Sequence, residues 1–520
     1  MAIEEIKQHI QNKKNFLLSG GAGSGKTYTL MQVLDYVFEQ NKDAKVACIT
    51  YTNVAVNEIK ERSPYSNLTV STIHEFLWSQ IKNYQKDLKK ALIALIESRA
   101  INYSGEATLS LDFFNDKKIE YQEYKKLENG VVSHDEIIKL AHYMFEHYLM
   151  LNSIVKDKFD FIFVDEYQDT QKEVTDIFLN FMQIGEKKNI LGFFGDSMQS
   201  IYDRRVGNID EYITQGVVER VVKADNRRCS TEVIRLINQI RNDGIVQEPA
   251  NNNQAGSIKF LYSSSEMSVN DIKQNIAFEN WYLSDTKNTK ELYLTHKLIA
   301  NEQGFRSLLD VFSNDDVTSD KPNKFIAYLL RIEELIFLYE NGSFNEFIKK
   351  THFKMRKLSD KQRLKDAIEN LKNIDDKNIE QMIEFANELN LVKKDDKFNI
   401  YIREHDEEFN SAKSIAYREI QNLYMYRQEL SPYSTQHGVK GAEFDNVFVI
   451  LDNGRWNQYN FKYLFENTAG KESVIERTRK ILYVACSRAK NNLIVYFPQP
   501  TQQVINKANE WFGDVNVIEI

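Results

Sequence analysis

The sequence predicts an α/β protein with parallel sheets, in two α/β segments that are each interrupted by a mainly helical insertion. Short apolar runs of strand length alternate with helical stretches, and a glycine-rich loop joins the first run to a helix. Such runs return after each of two long helical blocks. Strands that alternate with helices usually pair in parallel. A ligand site is then expected at the carboxyl edge of the sheet.

Eight runs are predicted to be strands because each is four to six residues long and rich in apolar residues. In chain order they are Phe16–Ser19, Val46–Thr50, Phe159–Val164, Ile190–Phe194, Ser257–Tyr262, Glu291–Thr295, Asn446–Leu451 and Asn492–Phe497.

The helical blocks divide the chain into four predicted pieces. Two are α/β domains, each discontinuous in sequence, and two are the helical insertions within them. The first domain comprises 1–80 and 156–225 and contains the insertion 81–155. The second domain comprises 226–312 and 431–520 and contains the insertion 313–430.

Composition places the chain among globular proteins. It has 520 residues, of which 42% are hydrophobic and 27% charged. No apolar run reaches membrane-spanning length, and the polar start MAIEEIKQHI lacks the apolar core of a signal peptide. Three cysteines far apart in sequence form neither a disulfide framework nor a zinc pattern. We therefore expect a reducing cytoplasm and no membrane partner. The net charge of −8 does not by itself favour nucleic acid.

The run from Gly20 to Thr27 fits the pattern GxxxxGK[ST] and lies between a predicted strand and a helix. Glycines let backbone N–H groups curl around phosphates, and a helix N-terminus adds positive potential. Lys26 would reach the β- and γ-phosphates, and Thr27 would place its hydroxyl on Mg²⁺. The alternative is a plain glycine-rich turn before a helix.

The predicted strand Phe159–Val164 runs directly into Asp165 and Glu166. A strand that delivers two acids is the second half of a nucleotide-hydrolysing site. Asp165 would hold Mg²⁺, and Glu166 would polarise the attacking water. The alternative is a polar turn into a helix, since acids are common at helix starts.

Together with further blocks in the same order, these motifs resemble superfamily 1 DNA helicases of the UvrD/Rep/PcrA group. The blocks, each followed by the motif that it resembles, are Gly20–Thr27 (I), Ile49–Asn53 with Glu58–Arg62 (Ia), Thr72–Phe76 (Ib), Asp165–Thr170 (II), Gly195–Tyr202 (III), Asn226–Arg228 (IV), Thr435–Glu443 (V) and Tyr483–Ala489 (VI).

The resemblance implies two RecA-like P-loop domains that grip ATP. Gln8 would read the adenine edge, with Gln11 as a possible substitute, and Glu443 would contact the ribose. Arg228 and Arg488, both expected from the second domain, would act as arginine fingers, although a salt bridge is the alternative for each. The implied catalytic residues are Lys26, Asp165, Glu166, Gln199, Arg228 and Arg488; the metal ligands are Thr27 and Asp165; the ATP contacts are Gln8, Gly20, Gly21, Ala22, Gly23, Ser24, Gly25, Lys26, Thr27, Tyr28, Gln168, Arg228, Glu443 and Arg488.

Single-stranded DNA is the partner that the resemblance implies. Aromatic rings suit a translocase because every base has a π-face, so sequence need not matter. Core packing is the alternative for the tyrosines, and a hydrogen-bonded structural role is the alternative for the histidines. The implied DNA contacts are Tyr51, Thr52, Thr72, His74, Tyr202, Arg204, Arg205, Thr435 and His437.

The sequence departs from the group's pattern at three places. Arg227 stands where the group has an adenine-stacking tyrosine, and Arg204 with Arg205 follow Asp203 where it has an aromatic residue. Only 32 residues follow Arg488, which leaves little room for a strand-separating pin. Translocation is therefore predicted more firmly than processive unwinding.

The compact size and the short spacing from Gln8 to Gly21 are similar to the GajB-type subunits of the Gabija antiphage system, whose partner is an OLD-family nuclease, GajA. We therefore expect an ATP- and Mg²⁺-dependent 3′–5′ translocase or helicase on DNA with single-stranded regions. The alternative is a regulatory ATPase that senses nucleotide and DNA and controls such a nuclease with little unwinding. A third possibility, a P-loop kinase or other NTPase that does not act on DNA, would leave the later motifs without a use.

Overall fold

A computed structural model describes residues 2–202, 209–251, 253–372 and 377–520. These residues form two compact units, Met1–Gln254 and Ala255–Ile520. Each unit contains a six-stranded sheet in which every described pairing is parallel. The predicted fold class is thereby confirmed.

The sheet of the first unit has the strand order β3-β2-β6-β7-β1-β8, and two short strand pairs, β4 with β5 and β9 with β10, lie apart from it. This order places the carboxyl ends of β1, β6 and β7 next to one another. The strands are β1 (Asn15–Gly20), β2 (Val46–Thr50), β3 (Leu68–Thr72), β4 (Glu120–Tyr121), β5 (Val131–Val132), β6 (Phe161–Asp165), β7 (Ile190–Gly195), β8 (Val218–Lys223), β9 (Asp225–Asn226) and β10 (Glu248–Pro249).

Helices cover both faces of this sheet. The predicted helical block 81–155 is helical at both ends, whereas residues 98–133 hold turns and the β4–β5 pair. The helices are α1 (Ala2–Gln11), α2 (Lys26–Gln40), α3 (Asn53–Arg62), α4 (Ile73–Ile81), α5 (Gln85–Glu97), α6 (His134–His147), α7 (Leu149–Lys158), α8 (Lys172–Leu179), α9 (Ile209–Thr214) and α10 (Thr231–Ile240).

Three phenylalanines fix the central strands of the first unit against one another. The rings of Phe16 on β1, Phe163 on β6 and Phe194 on β7 lie 5.7–6.2 Å apart between centroids, and all three are buried. A Cβ atom at Gly192 would stand 2.5 Å from Phe16, so only glycine fits there. This close packing holds the strand ends that carry the functional side chains.

The second unit has the strand order β13-β12-β14-β15-β11-β16. Its strands are β11 (Ser257–Ser263), β12 (Thr289–Tyr293), β13 (Tyr433–Thr435), β14 (Phe444–Ile450), β15 (Ala489–Pro498) and β16 (Val517–Glu519).

Most helices of the second unit lie between β12 and β13, where the helical block 313–430 was predicted. Among the described residues, none of the helices combines the length and apolar character needed to cross a membrane. They are α11 (Val269–Ile272), α12 (His296–Gln303), α13 (Arg306–Val311), α14 (Asn314–Thr318), α15 (Lys324–Glu340), α16 (Phe344–Lys350), α17 (Leu358–Lys372), α18 (Ile379–Glu388), α19 (Asp396–Glu404), α20 (Asp406–Ala412), α21 (Arg418–Arg427), α22 (Phe461–Glu466), α23 (Glu472–Cys486) and α24 (Gln502–Phe512).

Helix α15 carries a buried carboxylate into this helical region. Glu333 is 4% exposed. Burial raises its pKa to about 7, and the Glu340 charge adds to the rise, while the hydroxyl of Tyr417 opposes it. Burial therefore favours the protonated form of this carboxyl group.

Candidate functional site

The glycine-rich loop leaves β1 at Gly20 and enters α2 at Lys26, which is the strand–loop–helix arrangement that the motif requires. Gly23 and Gly25 have φ angles of 76° and 73°, a left-handed conformation that glycine adopts at low cost. A Cβ atom at Gly23 would also lie 2.6 Å from the Cβ atom of Arg228. The loop backbone is thus shaped in a way that larger residues would disturb.

Lys26 is buried in the first turn of α2, and its Nζ donates to the carbonyl oxygens of Gly20 at 3.1 Å and Gly21 at 3.3 Å. The Ser24 hydroxyl is buried and has no hydrogen-bond partner among the described residues. Tyr28 is 63% exposed. The loop therefore presents a lysine, an unsatisfied hydroxyl and a helix N-terminus in one place, a combination suited to phosphate.

Asp165 ends β6 and is buried, and Glu166 follows it with a φ angle of 52°. Burial and the neighbouring Glu166 charge raise the pKa of Asp165 above its usual range, while Lys26 opposes the rise. A bound cation would relieve this cost. The Thr27 hydroxyl and the Asp165 carboxylate are hard oxygen donors, as Mg²⁺ prefers. No group of three or more His, Cys, Asp or Glu side chains in the described chain could hold a metal ion, so phosphate or water oxygens would have to complete the set.

Two buried glutamines join the end of β6 to the end of β7. Gln168 donates through Nε2 to the Glu166 carboxylate and accepts at Oε1 from the backbone N–H of Asp196 at 3.0 Å. Gln199 donates to Asp196 Oδ2 at 2.9 Å. A Cβ atom at Gly195 would stand 2.1 Å from Gln168 Oε1, so this approach requires glycine. The acidic pair and both predicted phosphate sensors thus belong to one hydrogen-bonded group.

Arg228 lies in the first compact unit, which corrects the expectation that it comes from the second. Its segment is tied to the glycine-rich loop. The backbone N–H of Arg227 donates to the Gly23 carbonyl at 2.9 Å, and Asn226 Nδ2 donates to the Ala22 carbonyl at 3.0 Å. Asn226 Oδ1 accepts from the N–H of Arg228 at 2.9 Å. The pairing of β9 with β10 keeps this segment on the first unit.

Sequence reasoning missed two side chains that contact the phosphate-loop region. Gln247 donates to the Ala22 carbonyl at 3.0 Å, and a Cβ atom at Gly21 would overlap its amide. Lys223, at the end of β8, donates to Thr29 Oγ1 at 2.6 Å. No local pattern marks Gln247, because it meets the loop only through the fold.

The two candidates for adenine recognition differ in how they are engaged. Both lie on α1 and are exposed. Gln11 donates through Nε2 to Tyr36 Oη at 2.9 Å. Gln8 makes no side-chain hydrogen bond to any described residue, which leaves it the more available of the two.

Arg488 and Glu443 lie in the second unit. The Arg488 guanidinium is 1% exposed and donates to the carbonyls of Val484 at 3.0 Å and Ala442 at 3.1 Å. Glu443 follows Ala442 directly and is exposed. The blocks that resemble motifs V and VI are therefore bonded to each other within that unit.

Four of the predicted DNA contacts line one groove of about 500 Å³ in the first unit. They are Tyr51, Thr52, Thr72 and His74.

The two threonines of the groove also shape its wall, because each caps a helix. Thr52 Oγ1 accepts from the N–H of Ala55 at 3.2 Å, and Thr72 Oγ1 accepts from the N–H of Glu75 at 3.3 Å. Structural and binding roles are therefore compatible at these positions.

Residues 121–123 and the start of α6 also line the groove, which sequence reasoning did not anticipate. Tyr121 on β4 and His134 on α6 line it, and Tyr121 Oη lies 2.9 Å from His134 Nε2. The rings of His74 and His134 are 4.7 Å apart. The groove is therefore bounded by aromatic rings from two separate parts of the chain.

The other predicted DNA contacts lie elsewhere. Tyr202 is 37% exposed in the first unit and does not line the groove, while Arg204 and Arg205 lie outside the described residues. Thr435 and His437 belong to the second unit.

His437 belongs to an aromatic cluster of the second unit. Its Nε2 lies 2.8 Å from Tyr459 Oη, and its ring centroid is 5.7 Å from that of Trp456. Trp456 is 36% exposed. The cluster thus presents an accessible aromatic surface that the sequence motifs did not mark.

Parallel α/β units with a phosphate loop and an acidic strand end define a P-loop protein, and the motif blocks of the chain resemble those of superfamily 1 helicases. The AAA domain family matches residues 3–205. The chain is 28% identical to Gabija protein GajB of Bacillus cereus strain HuB5-5, over 99% of this chain and 97% of that protein. These findings confirm the predicted resemblance, including its compact GajB type.

Helicase relatives agree with this class. A probable DNA helicase II homolog of Mycoplasma capricolum is 23% identical over 92% of this chain and 81% of its own length. The ATP-dependent DNA helicase PcrA of Bacillus subtilis is 25% identical over 45% of this chain and 38% of its own length.

Proposed function

We propose that the protein is an ATP- and Mg²⁺-dependent motor that moves 3′ to 5′ along single-stranded DNA. One observation carries the proposal: the phosphate loop, the acidic pair and an aromatic groove lie on a single sheet, at the ends of adjacent parallel strands. Nucleotide and nucleic acid would therefore act on the same rigid body.

Each group of the nucleotide site has a part in the proposed reaction. Lys26 would exchange its two loop carbonyls for phosphate oxygens, and Thr27 with Asp165 would hold Mg²⁺. Glu166 would polarise the attacking water. Gln168 and Gln199 would sense the presence of the γ-phosphate. By the family resemblance, Arg228 and Arg488 would stabilise charge on the transferred phosphoryl group.

The groove suits unstacked bases. Tyr51 would supply a ring on which a base stacks, and Tyr202 and His437 would add contacts elsewhere along the DNA strand. Base–aromatic stacking tolerates any sequence, as a translocase requires.

A regulatory role is the second candidate, favoured by the similarity to GajB over nearly the whole length of both proteins. In that role the ATPase would sense DNA and control an OLD-type nuclease such as GajA, with little unwinding of its own. We also propose a cytoplasmic setting, which three buried cysteine thiols fit.

Strand-end assays test the motor. We expect ATP hydrolysis to rise on addition of an oligonucleotide, and streptavidin to be displaced faster from a 5′-biotin end than from a 3′-biotin end. Absence of DNA-stimulated hydrolysis would refute the proposal. The opposite end preference would refute the polarity alone.

Duplex assays separate the two candidates. Robust unwinding of a forked duplex by the isolated chain would argue against the regulatory role. Translocation without unwinding, together with binding of an OLD-type nuclease, would favour it.

A further inference from the structure

A buried group of ion pairs adjoins Gln199, one of the two proposed γ-phosphate sensors. Arg241, which follows α10, donates through Nη2 to Asp196 Oδ1 at 3.2 Å and to Asp243 Oδ2 at 2.7 Å. Its Nε donates to Asp243 Oδ1 at 3.0 Å. We propose that Arg241 and Asp243 form a brace that positions Gln199 and Gln168 for nucleotide turnover. The inference rests on the proposed function and names two positioning residues for it.

The brace acts on a short turn. Asp196 caps the 3₁₀ turn Ser197–Gln199: its Oδ1 accepts from the N–H of Met198 at 3.2 Å, and its Oδ2 accepts from Gln199 Nε2 at 2.9 Å. Ser197 Oγ donates to Asp243 Oδ2 at 2.9 Å. Both carboxylates that Arg241 binds thus hold the turn that carries Gln199.

The same turn reaches the acidic pair. The N–H of Asp196 donates to Gln168, and Gln168 donates to Glu166. A shift of Asp196 would therefore move Gln199 directly and release Gln168 from its acceptor position. Arg241 is thus linked to the proposed water-polarising carboxylate of Glu166 through two hydrogen-bonded residues, Asp196 and Gln168.

Burial makes a purely stabilising role a poor explanation. The side chains of Arg241 and Asp196 are 1% and 0% exposed. Desolvation of buried ions offsets much of their attraction, so such pairs contribute little net stability. Burial would raise the pKa of Asp243, but the hydrogen bond and charge of Arg241 hold it below its usual range. The fork geometry of arginine, which binds two carboxylates at once, is the property that the site uses.

The test compares Arg241→Gln and Arg241→Lys with Arg235→Gln, a control at an exposed arginine on α10. For each full-length variant, the kcat and KM for ATP, the Kd of a fluorescent ATP analogue and the Tm are measured. The assay temperature is one at which circular dichroism shows every variant folded. Because the brace bonds to the turn that carries Gln199, we expect a kcat loss of about tenfold or more at a nucleotide Kd within about threefold of wild type.

Arg241→Lys separates positioning from stability. A lysine keeps the charge and should recover the Tm, but it lacks the planar fork with which Arg241 bonds Asp243 through Nε and Nη2 and Asp196 through Nη2, so kcat should stay low. Recovery of kcat together with Tm, a wild-type kcat in Arg241→Gln, or a Kd that weakens in step with kcat would overturn the proposal. If Arg241→Gln does not fold, Asp243→Asn and Ser197→Ala provide the same comparison. The ratio of variant to wild-type kcat is also measured without DNA and should show the same loss, so failure of DNA stimulation would count against the motor and not against the brace.

Discussion

Lys26 is held by the carbonyl oxygens of its own loop at 3.1 and 3.3 Å, and it is buried. A buried ammonium in this position needs acceptors, and phosphate oxygens would be stronger ones than neutral carbonyls. The residue is therefore poised to exchange partners when nucleotide binds.

Lys26→Ala should lower ATP turnover by about a hundredfold or more while the protein stays folded, because one phosphate-contacting charge is lost without a cavity in the core. Steady-state hydrolysis and a thermal melt check this. Lys42→Ala, at an exposed lysine just after α2, is the matched control and should behave as wild type. Retained turnover in Lys26→Ala would place the site elsewhere.

Gly23→Ala should abolish nucleotide binding. The φ angle of 76° is unfavourable for alanine, and the new Cβ atom would meet Arg228 at 2.6 Å. Gly216 has a similar φ angle of 71°, and a Cβ atom added there would have no neighbour within 4 Å, so Gly216→Ala is a control for backbone strain alone. We expect that control to lose about 1 kcal/mol of stability and keep its nucleotide affinity. Equal affinities in the two variants, measured by fluorescence titration, would contradict the packing argument.

At the scale of elements, the predicted strands that match the structure best lie inside the sheets. Val46–Thr50 has identical bounds in sequence and structure, and the Ile190–Phe194 prediction differs from β7 by one residue. Four strands that were not predicted lie at the edges of the two sheets: β3, β8 (Val218–Lys223), β13 and β16. Edge strands are partly exposed and mix polar with apolar residues, so they lack the continuous apolar run that marks a central strand.

The residues of the candidate site also differ in how well the sequence predicts them. Lys26 and Asp165 were predictable because their motifs are local in sequence. Gln247 was not, since it meets Ala22 across 225 positions of the chain. Tyr121 and His134 were hidden for the same reason, because a two-residue strand pair carries the first of them into the groove.

Tyr51→Ala and Tyr121→Ala should each weaken binding of a single-stranded oligonucleotide by about fivefold to a hundredfold, the range expected for one lost base stack. Fluorescence anisotropy measures this. Tyr124→Ala is the control, since Tyr124 is 61% exposed and does not line the groove. A loss in Tyr51→Ala alone would show that the β4 segment only borders the groove.

Glu333→Gln should stabilise the protein at pH 8. The folded-state pKa of Glu333, about 7, lies above the ordinary value of 4.5, so the stability that this group contributes is present at low pH and is lost as the pH rises through about 7. Glutamine removes that loss, which is on the order of 3 kcal/mol.

Thermal melts from pH 5 to pH 8, spanning the roughly two units over which this group titrates, would show the wild-type Tm falling more steeply than that of Glu333→Gln. Glu346→Gln, at an exposed position on α16, should retain the wild-type slope. Parallel curves for wild type and Glu333→Gln would contradict the assigned titration.

For the whole molecule, the net charge of −8 limits long-range attraction to DNA. Binding should depend on a few local contacts, so log affinity should fall with log salt in proportion to a small number of neutralised phosphates. Titrations at several salt concentrations measure that slope.

Tyr51→Ala should shift the line of log affinity against log salt downward without changing its slope, because stacking releases no counterions. A reduced slope would mean that this tyrosine positions a phosphate contact.

The segment that ends the first unit is connected to the phosphate loop by hydrogen bonds through Asn226. Asn253 donates to the Asn226 carbonyl at 2.8 Å, and Asn226 donates to the Ala22 carbonyl at 3.0 Å. Gln254, the last residue of the unit, accepts from the N–H of Thr231 at 3.2 Å. Tension on the chain where the units join would pass through two side-chain hydrogen bonds to the phosphate loop. Pulling force at that junction and occupancy of the loop would then influence each other in both directions.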